Sequence, residues 1–407
     1  MPEIDAARVL ADLRKLRTFG EYKTGVHRPT FSKEDLAARH WMVARMQEAG
    51  LDARIDGIGS VFGFSQAAGP KLLTGSHLES QNYAGWLDGP LGVVYGLEAA
   101  RAIGADPAFA DCGVDVAAWC DEEGHFGSFL GSRSYLGLLP EEEIDAARNR
   151  YDGRPLRDAL KEAGLAGVSR EQVRPGRHKG YLEAHIEQGD SLEASGQKIG
   201  IVTAIVAIWQ YRITVVGEQN HAGTTSMKRR RDAGLAVVRL LGEIDRRFPD
   251  LAGERSVWTA GRITLEPGAP SIVPGRAEAL FQFRDADPAT LDRLQAELYR
   301  LVEEANRSGP CPITVELLGQ STPALMDEGL QQALEGAASV YAAGLATRMP
   351  SGAGHDAQYL ARAMPAGMMF VPSIGGISHH WTENTSDEDI VLGARVFCEA
   401  VARALRA

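Results

Sequence analysis

Residues 113–124 read Gly-Val-Asp-Val-Ala-Ala-Trp-Cys-Asp-Glu-Glu-Gly. The run Val114–Cys120 reads as an apolar strand, and it ends abruptly in acids and a glycine. A short apolar run bounded by a turn signal fits a strand buried on both faces, with the acids in the loop at its carboxyl end. Upstream, Lys71–Gly75 is another short apolar strand that runs into Ser76-His77-Leu78-Glu79, and Leu91–Ile103 reads as a helix after a Gly-Pro turn. Downstream, Gly180–Gly189 gives a further strand-to-loop unit and a polar helix near 190. This alternation predicts an α/β domain with a mainly parallel sheet. Its polar clusters follow the strands, where open α/β sheets place their ligand crevice.

Outward from this core, residues 5–17 and 33–49 read as helices, the second led by Ser32 as its cap. Residues 141–180 are charged and helical and look like a peripheral insertion. Around 210 the pattern changes. Tyr211–Val216 alternates as a half-buried strand, 226–247 reads as a helix with Arg229, Arg230 and Arg231 near its start, and Ser256–Leu265 and Ile272–Phe283 read as strands. A helix over Thr290–Asn306 and a strand over Ile313–Leu318 complete the order β-α-β-β-α-β, the split ferredoxin-like unit. Alternation resumes after about 327 and ends in a helix over 388–405. The expected organisation is one α/β domain, residues 1–210 and 328–407, interrupted by a smaller α+β domain, residues 211–327.

The chain has 407 residues, with 43 Lys and Arg against 54 Asp and Glu, a net charge of −11. An acidic total is a poor match for nucleic acid or an anionic membrane, both of which need a basic surface. No apolar run approaches the roughly 18 residues of a membrane span. The N-terminal stretch is an amphipathic helix pattern without the apolar core of a signal peptide. The four cysteines, at 112, 120, 311 and 398, have no CxxC spacing. That excludes a disulfide framework and a zinc knuckle, and it fits a reduced cytoplasm.

Histidines and acids gather in four segments: Gly75-Ser-His77-Leu-Glu79 with Trp86-Leu-Asp88-Gly89, Cys120-Asp-Glu122-Glu123-Gly124, Tyr181-Leu-Glu183-Ala-His185-Ile-Glu187-Gln188-Gly189, and Gly375-Gly-Ile-Ser378-His379-His380-Trp381. Imidazole and carboxylate are the usual non-thiol ligands of zinc, manganese or cobalt. A metal pair needs a bridging carboxylate and a terminal histidine on each ion. His77, His185, His379, Asp88 and Glu123 meet that count. Glu122 lies beside a ligand, points the other way if the segment is extended, and could take a proton from bound water.

On these motifs the chain resembles the amidase/hydantoinase/carbamoylase group of binuclear metallohydrolases, relatives of aminoacylase-like and carboxypeptidase-G-like peptidases. The resemblance runs from about residue 10 to the C-terminus. It rests on GSHLES with GWLDGPLGV, DEEG, LEAHIEQG, NHAGTTSM followed by RRDA, IVPGRAE, and MPSGAGHDAQ with GGISHH. It implies a zinc-exopeptidase-like domain interrupted by a ferredoxin-like lid and dimerisation domain, holding two divalent ions (zinc, manganese, cobalt or nickel). His77, Asp88 and His185 would hold one ion and Asp88, Glu123 and His379 the other, with Asp88 shared. His379 rather than His380 matches the family ligand. Glu122 would be the general base acting on a water between the metals. His221 would polarise the scissile carbonyl, within its own subunit or across a homodimer. Arg284 would grip a substrate carboxylate, the alternative being a surface salt bridge. Gly352, Ala353 and Gly354 match a substrate-binding loop, the alternative being a plain turn, and Ser271 and Gln210 fall on the substrate side.

The implied activity is hydrolysis of a C–N bond in an N-carbamoyl or N-acyl amino acid. An aminoacylase or dipeptidase and an inactive binding protein are the alternatives. Some positions depart from the family. Glu79 stands where Asp is usual, with the expected task of orienting His77. The stretch after Glu123-Gly124 lacks the customary Arg, Ser271 replaces an Asn, and Ile208-Trp209 replaces a Gln-Arg-like pair. Trp86 and Trp209 are expected either to offer aromatic surface to substrate or to pack in the core.

Overall fold

The computed structural model describes residues 2–407. The chain forms two compact units: one runs to Thr203 and resumes at Leu325, and the other is Ala204–Ala324. The smaller unit begins ahead of the expected 211 because its first strand, Ala207–Val216, takes in Ile208, Trp209 and Gln210.

In the larger unit the central sheet is ordered Asp52–Ile55, Val61–Phe64, Gly113–Trp119, Lys71–His77, Tyr181–Ile186, Ala366–Val371, Ile199–Ile205. The four strands from Gly113–Trp119 to Ala366–Val371 are mutually parallel, and their neighbours on either side are antiparallel. All four parallel strands are buried along their whole length. That is why they are largely apolar rather than alternating apolar and polar. The helices Pro90–Ala105 and Asp387–Arg406 pack on this sheet. The first is apolar on nearly every side and almost wholly buried, as a helix enclosed in a core must be.

Asp115 breaks the apolar reading of the strand quoted at the outset. It is fully buried, and its carboxylate accepts from Ser65 N at 2.7 Å, Arg177 Nε at 2.8 Å and His178 Nε2 at 2.8 Å. These donors satisfy a charge that burial would otherwise penalise heavily. The segment 141–180 carries the helices Glu141–Ala146 and Leu156–Glu162, whose Ile144, Leu156 and Leu160 form a satellite core with Phe31 and Phe126.

The smaller unit is a four-stranded antiparallel sheet ordered Val257–Glu266, Arg276–Asp285, Ala207–Val216, Ile313–Gln320. The helices Ala233–Arg247 and Pro288–Ser308 pack on it. Trp209, Tyr211, Ile213, Phe281 and Phe283 point into its own core, so the opposite face carries Gln210, Gln282 and Arg284. The helix expected from 226 begins at Ala233. Asp232 caps it by accepting from Leu235 N at 3.0 Å, which leaves Arg229, Arg230 and Arg231 in the preceding turn. Among the described residues no helix is long and apolar enough to cross a membrane.

Candidate active site

The sheet register builds the site. His77, the last residue of its strand, pairs with Trp119, so the Cys120–Glu123 loop leaves the sheet at the level of His77. His185 lies on the neighbouring strand, its ring centroid 5.9 Å from that of His77. Asp88 precedes the buried helix Pro90–Ala105, whose amino end favours negative charge. Gly89 between them has φ +88°, and a Cβ there would sit 2.4 Å from the His77 ring, so the position needs glycine. Asp121, Gln188 and His379 all hold left-handed φ values of 57°, 60° and 55°. Such non-glycine backbone is uncommon and gathers where surrounding contacts impose it.

Asp88 is the hub. Its Oδ1 faces His77 Nε2 at 3.5 Å and His185 Nε2 at 3.1 Å, and its Oδ2 faces His379 Nε2 at 3.3 Å. Glu123 Oε2 lies 3.7 Å from the same His379 nitrogen. His77, Asp88 and His185 form one group able to hold a metal ion, and Asp88, Glu123 and His379 a second. Ligands about 2.0–2.2 Å from a shared tetrahedral ion lie about 3.3–3.6 Å apart, close to the spacing of these atoms. The outer ring nitrogens are already committed: His77 Nδ1 meets Glu79 O at 3.0 Å and His185 Nδ1 meets Ile186 O at 2.8 Å. Both Nε2 atoms are therefore the ones left to meet a metal ion or a proton, and both face a carboxylate that only accepts. A proton or a metal cation must stand between them, so the donor set fits a pair of divalent ions.

The same geometry sets the charges of these groups. Burial draws the His77 pKa down, but Glu122, Asp88 and Glu79 outweigh it and hold the ring well above the usual imidazole range. His185 is raised in the same way, its bond to Asp88 overcoming burial. His379 is pushed up to about 9, chiefly by its bond to Asp88. Burial alone would raise Asp88, yet the three histidines hold it well below the carboxylate range. Glu122 is driven well above that range by burial and by Glu123, Asp356 and Asp88, against the pull of His77. Burial and Asp88 raise Glu123 as well.

Glu122 and Glu123 do not alternate as in an extended strand. The left-handed Asp121 turns the chain, so Glu122 Oε2 comes within 3.7 Å of His77 Nε2 while Glu123 reaches His379. Glu79 also departs from its expected task. Its backbone carbonyl, not its carboxylate, orients His77, whose Nδ1 is 4.0 Å from Glu79 Oε1. The carboxylate instead accepts from Glu122 N at 2.7 Å and from the fully buried Arg39 Nη2 at 2.5 Å. Gln81 holds Glu123, its amide donating to Oε2 at 2.9 Å and its backbone N to Oε1 at 3.1 Å. Arg39, Gln81 and Glu383 carried no sequence signal. Gln188 and Ser378 stood inside the motifs without a role, and their nearness to His185 and His379 was the only clue.

Ser351 Oγ donates to Ala353 O at 2.9 Å and lies 2.9 Å from His355 Nε2, fixing the Gly352–Gly354 turn. The His355 ring meets that of His185 edge-on at 4.6 Å, which ties this turn to the group around Asp88. His380 is turned away, its Nδ1 2.7 Å from Thr382 Oγ1 and its ring against Trp381. Trp86 and Trp209 are both buried. Arg17 covers the first, and the second packs on Phe283 with its indole donating to Ser321 O at 3.0 Å. Neither offers aromatic surface to a substrate.

On the smaller unit, His221 is exposed on the short strand Asn220–His221, which pairs with Ile272–Val273. Its Nδ1 accepts from Gly223 N at 3.0 Å and Thr224 N at 3.2 Å, so a neutral ring carries its proton on Nε2 as an outward donor. Ser271 O accepts from Ala222 N at 2.9 Å, which puts Ser271 next to His221. Gln210 and Arg284 share the sheet face away from the helices, and burial lowers the Arg284 pKa.

The family model described as Peptidase family M20/M25/M40 matches residues 71–403. An N-carbamoyl-L-amino acid amidohydrolase of Geobacillus stearothermophilus is 33% identical, with 98% of each chain covered. An allantoate amidohydrolase of Bacillus subtilis is 33% identical, with 92% of each covered. The crystal structure of an amidase of the hydantoinase/carbamoylase family from Burkholderia phymatum is 48% identical, has a TM-score of 0.94, and covers 100% of this chain and 99% of that one. With a family match over most of its length and close likeness in sequence and fold to these proteins, the chain belongs to peptidase family M20/M25/M40 and, within it, to the hydantoinase/carbamoylase amidases.

Proposed function

We propose that this protein is a metal-dependent amidohydrolase that cleaves the C–N bond of an N-carbamoyl or N-acyl amino acid. The observation that carries the reading is the pair of donor groups sharing Asp88, with Glu122 beside them. His77, Asp88 and His185 hold one divalent ion and Asp88, Glu123 and His379 the other; zinc, manganese, cobalt and nickel all suit such donors. When bound, the ions polarise the scissile carbonyl and acidify water.

The chain's own groups supply the rest. Glu122 takes a proton from the attacking water and returns it to the leaving nitrogen, a task suited to a buried carboxylate whose proton affinity is raised. The Nε2 proton of His221 donates to the carbonyl oxygen as it gains charge. Arg284 binds the substrate carboxylate through both of its oxygens, with Gln210 and Ser271 adding polar contacts and Gly352–Gly354 a backbone cradle. A carbamoyl substrate yields an amino acid, ammonia and carbon dioxide. The likeness to the amidohydrolases named above supports this reaction class.

The protein acts as a homodimer joined through the smaller unit. Val257–Glu266 is an edge strand with Val257, Ile263 and Leu265 exposed, and the helix beside it exposes Leu235 and Val238. Unpaired edges and apolar patches of this kind favour pairing with another chain.

The test is a metal-reconstituted assay over N-carbamoyl, N-formyl and N-acetyl amino acids, with ammonia read separately. Turnover of N-carbamoyl substrates with stoichiometric ammonia supports the proposal. Turnover confined to N-acetyl amino acids or dipeptides would replace it with an aminoacylase or dipeptidase.

A further inference from the structure

Glu383 takes no part in the chemistry described above, yet it is 1% exposed and lies against the main chain that carries Asp88. Its Oε1 accepts from Asp88 N at 3.2 Å and Leu87 N at 3.4 Å. The approach is so close that a Cβ on Gly85 would fall 1.8 Å from the same oxygen. Its Oε2 accepts from Ser378 Oγ at 2.8 Å. Ser378 Oγ in turn accepts from Gln188 Nε2 at 3.1 Å, and the same amide donates to Asp88 Oδ2 at 3.0 Å. The four residues close a ring that starts and ends on Asp88.

The direction of the ring is forced at both ends. The Asp88 backbone N–H can only donate, and its ionised carboxylate can only accept. The Gln188 atom facing Oδ2 must therefore be the nitrogen, the Ser378 oxygen accepts from it, and the Ser378 proton is directed to Glu383. The ring also joins three segments that carry donors: Asp88 itself, the loop three residues past His185, and the residue before His379. Gln188 and His379 both hold left-handed backbone, and Gln188 N is pinned by Ser373 Oγ at 3.0 Å.

We propose that Glu383 is a positioning residue that, through Ser378 and Gln188, fixes the orientation of the Asp88 carboxylate so that Oδ2 is presented to the Glu123 and His379 donors. The inference rests on the reading of Asp88 as a shared metal ligand. Partners of this kind that orient ligands typically change metal affinity about 10- to 100-fold when lost. Because the ring touches Oδ2 and not Oδ1, its loss weakens one ion and spares the ion between His77 and His185.

The experiment is titration of chelator-stripped full-length protein with zinc ion against a competing indicator, for the native chain, Glu383→Gln, Ser378→Ala, Gln188→Leu and the Glu383→Gln/Gln188→Leu pair. The native chain is expected to bind two ions. Each single variant is expected to keep one at native affinity and bind the other about 10- to 100-fold more weakly, with the double variant no worse than its worse parent because the ring acts as a unit. Ser378 is partly exposed, so Ser378→Ala tests the ring even if Glu383→Gln fails to fold. Two ions at native affinity in Ser378→Ala and Gln188→Leu would overturn the inference and leave the proposed function standing. A native chain that binds no ion would overturn the metal reading itself, and the inference with it.

Discussion

The carboxylate of Glu79 accepts the backbone N–H of Glu122 at 2.7 Å, while its other oxygen takes the Arg39 guanidinium at 2.5 Å. Arg39 is also held by Asp35 at 2.9 Å and by Gly59 O at 2.8 Å, and all three side chains of the Asp35–Arg39–Glu79 group are fully buried. The proposed base is thus located by a charge network that water does not reach. In Glu79→Gln the one amide oxygen turns to the guanidinium, the N–H₂ is left facing the Glu122 N–H, and Arg39 loses a charged partner. Breaking a buried pair from one side costs about 3–5 kcal/mol, so the variant should unfold at markedly lower denaturant. Its kcat should fall while KM changes little, because the backbone of Glu122 is freed and the substrate contacts are not. Denaturant titration and steady-state kinetics on the same preparation check both.

Replacing Glu122 itself separates chemistry from binding. Glu122→Gln keeps the volume and removes the proton acceptor, so turnover should drop at least about 10²–10⁴-fold while the metal content stays at the native value. Kinetics and elemental analysis read the two quantities independently, and retained turnover would remove Glu122 from the role of base.

The smaller unit supplies a second pair of variants. Arg284→Lys keeps the charge and loses the two-pronged grip on a carboxylate, so KM should rise about tenfold or more with kcat less affected. His221→Ala removes the outward Nε2 donor and should lower kcat by about 10²–10³-fold, the usual effect of deleting a donor to a developing oxyanion. An unchanged kcat in His221→Ala would show that its exposed ring serves another purpose.

The metal-free protein should show a distinctive pH response. His379 is raised to about 9 in the fold, against an ordinary imidazole value of about 6.5. A histidine raised on folding adds stability that is fully present below about 6.5 and is lost as pH climbs through about 9. Melting temperature in the presence of chelator should therefore fall over that window, and His379→Asn should flatten the fall. Metal displaces the proton, so loaded protein should lack this loss, and metal uptake near neutral pH should release protons. Calorimetric titration in buffers of different ionisation enthalpy measures that release.

Much of this arrangement was legible in the residues, because burial on both faces of a parallel sheet leaves a continuous apolar run and the ligands follow such runs. Val114–Cys120 announces itself in this way, and Gly89 and Asp88 mark the turn into a buried helix. What stayed hidden depends on approach through space. Asp115 is an acid inside an apolar run, and only the arrival of Arg177 and His178 explains it. The resemblance gives Glu79 the task of orienting His77, whereas the turn at Asp121 delivers Glu122 N to its carboxylate. Trp86 and Trp209 could have gone either way on hydropathy, and packing buried both. Glu383 has no pattern around it that sets it apart from a surface acid, yet it lies beneath the Asp88 loop.

The most direct test of the central claim follows ammonia release from an N-carbamoyl-L-amino acid as divalent metal is returned to chelator-stripped protein. The account predicts release that is absent without metal and rises to a plateau at two equivalents per chain. Ammonia release independent of added metal, or none at two equivalents of zinc, manganese, cobalt or nickel, would contradict it.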